Sequence, residues 1–384
     1  MKFIKKYILL IFLIENLLVQ SPIFGMSMLP FYIMMVLGAL LIFSKELWSH
    51  NTYRECKPLY LLALVYIVYQ FTLGFNTLSM QTLVYLMAKI STFIIITVSI
   101  ANNWDFYAKK APIYLAMIVV VILVLGLNDA TDSTITDRQT LGFGNANTTS
   151  SLSTFCLTGV LFLWNRKHRI VYFFIAILAI YSMLAGGSRN AILMLGVSML
   201  VWTGTSVRRM IPAAMALLLV WGTINIFQLD LAGVERLKGT IEGSIGTNRD
   251  LEREATLMMI EEKPWTGWGF EAENQGRAAT ISEMGSHNGY LDTIKFIGYP
   301  FALLFFVILF ICTFSLLKYA KSKDMVLRYH LAIVLSHMVG AMYEGLFVGV
   351  HEFSTNMIFY SLAILTTYDY RMKRDINTNI IRNA

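Results

Sequence analysis

The sequence runs to 384 residues, 56% of them hydrophobic and only 14% charged, with a formal net charge of +7. Soluble domains carry about 25% charged residues, so this composition, with a mean hydropathy of +0.59, excludes a soluble enzyme. Cys56, Cys156 and Cys312 lie in or beside apolar runs and show neither a disulfide framework nor a metal-ligand spacing.

The chain opens with MKFIKKYILLIFLIENLLVQ, a basic start followed by an apolar run, as in a signal peptide. It has no small-x-small cleavage site, and Glu15-Asn16 interrupts the run, so the expectation is a retained first helix. A helix needs about 20 mostly apolar residues to cross roughly 30 Å of hydrocarbon. The apolar runs place spans near 7–21, 28–44, 59–75, 82–101, 112–128, 149–164, 170–185, 191–206, 211–229, 298–317, 328–346 and 353–368. The expected fold class is therefore an all-α polytopic membrane protein of about twelve transmembrane helices.

The connections alternate in charge. One set holds Lys2/Lys5/Lys6, Lys45/Arg54/Lys57, Lys109/Lys110, Arg166/Lys167/Arg169, Arg208/Arg209, Lys318/Lys321/Lys323/Arg328 and Arg371/Lys373/Arg374; the other is short or acidic. By the positive-inside rule the first set is cytoplasmic, which puts both termini inside. The basic excess is then a topology signal, and no nucleic-acid partner is expected. The chain divides into a membrane domain over 1–229, a large extracytoplasmic loop over 230–297, and helices ten to twelve with a cytoplasmic tail over 298–384. Long loops of this kind are functional or disordered.

In chain order, the first candidate is Arg138, just before Gly142-Phe143-Gly144-Asn145-Ala146-Asn147 at the outer entrance to the sixth helix. Glycines allow close backbone approach, helix N-termini favour anions, and an arginine completes a phosphate site with a bidentate pair. The plainer reading is a Gly/Asn turn with Asn147 or Thr148 as N-cap. Arg189, in Gly186-Gly187-Ser188-Arg189-Asn190, sits in a short outer turn, where a charge either faces a water-filled cavity or snorkels. In the large loop, Thr247-Asn248-Arg249-Asp250 reads as a helix start running to about Glu262 and stopping before Pro264. Its expected apolar face is Leu251, Ala255, Met258 and Met259. Arg249 and Arg253, four apart, repel unless an anion lies between them or the face is simply solvated. The following PWTGWGF segment offers either stacking surface for sugar rings or packing at the membrane interface.

His287, in Gly285-Ser286-His287-Asn288-Gly289-Tyr290-Leu291, suits general-base work because its ordinary pKa is near 6.5; the alternative is a histidine that only hydrogen-bonds. His330, His337 and Glu344 recur at intervals of seven in the eleventh span and would share a face, the pattern of a proton-coupled transporter; the alternative is that Glu344, near the outer surface with His351 and Glu352 just beyond, borders the loop's site. Lys89 is alone in the fourth span.

In order, these elements resemble the O-antigen ligase and Wzy-type polymerase family of bacterial envelope enzymes. The residues that carry the resemblance are Arg138 with GFGNAN, the Gly187-Ser188-Arg189 turn, Arg249 with EEKPWTGWGF, and His287-Asn288-Gly289-Tyr290-Leu291 leading to Gly298, all within about residues 130–318. Ala146 stands where a typical member has proline. The resemblance implies a GT-C-like fold in the bacterial plasma membrane and metal-independent glycosyl transfer at its outer face, without a cofactor. The donor and acceptor are glycans on undecaprenyl pyrophosphate, and a flippase and a chain-length regulator are the implied partners. It assigns His287 and Arg249 to catalysis, and Arg138, Arg189, Arg253, Asn147 and Asn288 to pyrophosphate or substrate binding. Polymerase is the preferred activity, since polymerases are the family's more varied and numerous members. A ligase that moves the glycan to a lipid A core or to a protein shares every one of these features.

Overall fold

The structure is a computed structural model that describes residues 2–25, 29–127, 139–164, 166–204, 249–270, 287–350 and 352–383. Among them are thirteen α-helices and no strand: α1 Lys2–Val19, α2 Leu29–Leu40, α3 His50–Glu55, α4 Lys57–Phe71, α5 Met80–Lys109, α6 Ala111–Leu125, α7 Ala146–Leu163, α8 Arg169–Gly186, α9 Arg189–Thr203, α10 Arg249–Glu262, α11 Gly289–Leu316, α12 Met325–Gly340 and α13 Phe353–Asn383. The expected span over 211–229 lies outside the described residues. Helices α5, α8 and the stretch Gly289–Lys321 are long and apolar enough to cross a membrane, and α2, α4, α6, α9 and α12 are shorter apolar helices. Leu303, Val307, Ile311 and Phe314 on α11 and Ile170, Phe173 and Phe174 on α8 are exposed. Water does not tolerate apolar stripes of that extent, whereas hydrocarbon does. The chain is a membrane protein.

Helix α7 is rich in serine and threonine and largely buried, packed against α6, α8, α9 and α12. Several of its hydroxyls stay buried because they find an acceptor on their own helix. Ser150 donates to Ala146 O at 3.0 Å, Ser153 to Thr149 O at 2.7 Å and Thr158 to Thr154 O at 2.9 Å. Small residues let α8 approach it closely: a Cβ on Gly186 would fall 2.7 Å from Ala146 O. Helix α1 packs into the core beside α5, α6 and α13. There the Asn16 that interrupts its apolar run accepts from Asn356 Nδ2 at 2.6 Å.

The basic connections gather at one end of the bundle. Arg371 grips Glu55 through two bonds of 2.9 Å, Asp369 holds Lys318 and Lys373, and Lys5 reaches Glu46 at 2.6 Å.

The twelfth helix departs from expectation. The run expected to span 328–346 stops at Gly340, and residues 341–350 fold into turns. Gly289 N donates to Ala341 O (2.7 Å) and Glu344 O (3.0 Å), while Lys89 Nζ donates to Phe347 O and Gly349 O, both at 2.9 Å. These outside donors satisfy the carbonyls that a continuing helix would have used. Glu344 thus leaves the helical register, and the expected stripe with His330 and His337 does not exist. His330 is held between Ser361 Oγ (3.1 Å) and Ala108 O (3.0 Å), and His337 turns back onto Ile333 O at 2.9 Å. Both rings are fully enclosed packing residues, and the transporter reading loses its support.

Candidate functional site

At the end of the bundle opposite the basic cluster, the HNGY segment can be read residue by residue. Asn288 caps α11, its Oδ1 accepting from Tyr290 N at 3.0 Å and Leu291 N at 3.1 Å. Gly289 is the contact with the 341–346 turns, and a Cβ there would lie 3.0 Å from Leu346 N and 3.2 Å from Glu344 O. Tyr290 OH donates to Met338 O at 2.9 Å. The cap and the dock together fix the residue before them, His287, at φ +49°. A left-handed backbone is uncommon outside glycine and costs on the order of 1 kcal/mol or more.

The His287 ring lies between two carboxylates. Nδ1 is 3.6 Å from Glu344 Oε2, and Nε2 is 3.7 Å from Glu252 Oε2. These are ion-pair separations, beyond hydrogen-bond length. Beside the ring opens a cavity of about 540 Å³ whose wall includes His287, Glu344, Asn147, Asp292, Lys295 and Glu352. Asp292 and Lys295, one turn apart on α11, pair at 3.2 Å. Glu352 accepts from Thr355 Oγ1 at 3.0 Å. Burial raises the Glu352 carboxyl above the ordinary carboxylate range, opposed by that bond and by the Lys89 charge.

Glu252 arrives from the loop helix α10. The buried face of α10 is Glu252, Ala255, Thr256, Met259 and Ile260, whereas Leu251 and Met258, expected on it, are exposed. The expected apolar face is thus rotated, so that an acidic side chain enters the packed side. The 264–270 segment sets this orientation. Gly298 (φ +69°) breaks α11, and Pro300 after it has no N–H. Carbonyls of α11 are thereby released, and the loop uses them: Trp268 N donates to Lys295 O and Gly269 N to Phe296 O, both at 2.9 Å. In return Tyr299 N donates to Pro264 O at 2.8 Å. Phe270 stacks on Tyr85 at 4.2 Å and Trp268 Nε1 donates to Met259 O at 2.7 Å, so both rings serve packing; Trp265 remains exposed. Helix α11 begins at Gly289 rather than 298, so its first turns belong to the site.

Of the residues singled out from sequence, the structure brings Asn147, His287 and Glu344 onto one cavity wall. The α7 cap is Asn145 rather than Asn147 or Thr148, with its side chain accepting from Asn147 N at 2.8 Å. Gly142 (φ +85°) and Gly144 (φ +50°) make the turn before it. Asn288 has its carboxamide oxygen committed to the α11 cap. Arg189 is the first residue of α9, half-buried and apart from the cavity wall. Arg253 is exposed on α10. Arg249 opens α10, with its side chain outside the description, and Arg138 and Thr247 lie outside the described residues. Glu252, Asp292 and Lys295 were not foreseen. The signal for Glu252 was present: it stands three residues before Ala255 and seven before Met259, on the face those residues bury.

Residues 174–306 match the family model described as O-antigen ligase. The stretch runs from α8 into α11 and contains Arg189, all of α10 and His287. The resemblance read from the sequence is thereby shown for this part of the chain. The family is one of glycan-transferring membrane enzymes that act on lipid-linked substrates. No curated protein matches the chain.

Proposed function

We propose that the protein is a metal-independent glycosyltransferase: a polymerase that joins undecaprenyl-pyrophosphate-linked oligosaccharide repeat units at the outer face of a bacterial plasma membrane. The observation that carries this reading is His287, set at φ +49° on a polar cavity with Glu344 beside its Nδ1. The end of the bundle that gathers the lysines and arginines is cytoplasmic under the positive-inside rule. Both termini lie there, and the cavity is at the other end.

The acceptor glycan's hydroxyl gives its proton to the His287 ring and its oxygen attacks the anomeric carbon of the donor. The bond from that carbon to the pyrophosphate oxygen breaks, and the lipid pyrophosphate leaves with the electron pair. Arg138, Arg189 and Arg249 take up the charge that develops on the leaving group, as bidentate cationic donors do. Arg253 adds to the field along α10, and Asn147 orients the sugar from the cavity wall. The chain works in the lipid bilayer beside a flippase and a chain-length regulator.

The test is complementation of a gene-deletion strain with Arg189→Ala, with expression checked and surface glycan separated by length. Removing one transition-state donor lowers the rate roughly a hundredfold to a thousandfold, so single repeat units are expected in place of long chains. Full-length polymer retained on the lipid carrier would reassign the activity to a ligase. Wild-type glycan would remove Arg189 from the site. Transfer by the purified protein is expected to survive a chelator, and loss of activity on chelation would refute metal independence.

A further inference from the structure

We infer that Glu252, carried by the loop helix, is the positioning residue for His287, so that the large loop completes the catalytic apparatus. The inference rests on the function proposed above. Glu252 is 7% exposed, and its Oε2 is buried without a hydrogen-bond partner among the described residues. That oxygen is the one nearest His287 Nε2, at 3.7 Å. An orphaned carboxylate oxygen in such a place is costly unless something uses it, and the imidazole edge is the group it faces.

The two carboxylates beside the ring occupy different positions. Glu344 belongs to the cavity wall, and its backbone is fixed by Gly289 N at 3.0 Å. Glu252 lies outside that wall, on the far side of the ring. Once the acceptor hydroxyl has entered on the cavity side, between Nδ1 and Glu344, the carboxylate on the far nitrogen favours the Nε2–H tautomer and leaves the Nδ1 lone pair facing that hydroxyl. The same carboxylate stabilises the imidazolium once Nδ1 has taken the proton. Both separations exceed hydrogen-bond length, as is common for catalytic contacts before substrate binds; a small shift of α10 closes the Glu252 contact.

Among the described residues, the other charged groups on the cavity wall are Glu344, Asp292, Lys295 and Glu352, and of these Glu344 lies at Nδ1. A negative charge next to imidazole favours its protonated form. Removing the Glu252 charge therefore lets the ring become neutral at lower pH, and the acid limb of the rate profile follows it down.

The experiment uses the full chain in lipid nanodiscs with lipid-linked repeat units. Glu252→Gln, which keeps size and shape, is expected to lower kcat roughly tenfold to a hundredfold with KM little changed, and to move the acid limb about one pH unit lower. Glu252→Asp is expected to restore part of kcat, and Glu254→Gln, an exposed neighbour on the same helix, to match wild type. Histidine ¹⁵N NMR of the same samples reads the His287 titration without turnover. It is expected to fall in Glu252→Gln even if the wild-type protein proves to be a ligase. An unmoved His287 titration, or a kcat loss with an unshifted acid limb, would assign Glu252 to loop packing alone and overturn the inference.

Discussion

Replacing His287 with asparagine lowers glycan transfer about a hundredfold to ten-thousandfold while leaving the protein folded. The magnitude is what a positioned general base contributes. Asparagine is the informative substitution because it tolerates the left-handed backbone better than most residues, and His287 sits at φ +49°. His287→Ala would remove the ring but also change the strain at that turn, and the two effects would be mixed. The His287 side chain is 30% exposed, so little packing is lost in either variant. The measurement is single-turnover transfer of labelled repeat units by purified protein, with thermal unfolding as the control for folding. A His287→Asn variant that keeps more than about a tenth of the wild-type rate would remove proton transfer from the role of this residue.

That the chain is an all-helical membrane protein was legible because hydrocarbon imposes a length and a polarity on the helices that cross it. The site was legible only in its most local pieces. His287-Asn288-Gly289-Tyr290 was recognisable as a unit, and Asn288, Gly289 and Tyr290 each make a separate contact at the start of α11. Helix α12 was misread at its far end because Met342-Tyr343-Glu344-Gly345-Leu346-Phe347 is apolar enough to continue a span. What ends the helix is a pair of long-range donors, Gly289 N and Lys89 Nζ, and no window along the sequence contains them. The same blindness hid the rotation of α10. Its face is chosen by contacts of the 264–270 segment with α11, about thirty positions further along the chain. Composition and periodicity therefore reported the bilayer well and the loop poorly, since the loop's structure depends on non-local carbonyls.

That dependence leads to the second large effect. Gly298→Ala, a change at no charged or polar side chain, is expected to detach the loop helix and lower transfer more than tenfold. A Cβ at Gly298 would lie 2.7 Å from the Trp265 carbonyl carbon and 3.0 Å from Gly267 N, with the carbonyl oxygen closer still. The backbone there, φ 69° and ψ 167°, is a region occupied essentially by glycine alone and costs other residues about 1–3 kcal/mol. Relief comes either by re-forming a regular helix, in which Tyr299 N leaves Pro264 O for Lys295 O and displaces Trp268 N, or by lifting the 264–269 turn away. In both cases Tyr69, which donates to Thr266 O at 2.9 Å and Phe296 O at 2.7 Å, loses its bridge between loop and bundle. The C-terminal end of α10 then has no fixed attachment, and Glu252 is no longer held at His287. Limited proteolysis within 249–270 should quicken in Gly298→Ala and in Gly267→Ala, whose added Cβ meets Phe296 and Gly298 backbone. Gly196→Ala, with nothing within 4 Å of its Cβ, should behave as wild type. If Gly298→Ala shows wild-type proteolysis together with reduced transfer, the helix break acts on the cavity directly. Wild-type values in both would mean that the loop takes its place without the broken helix.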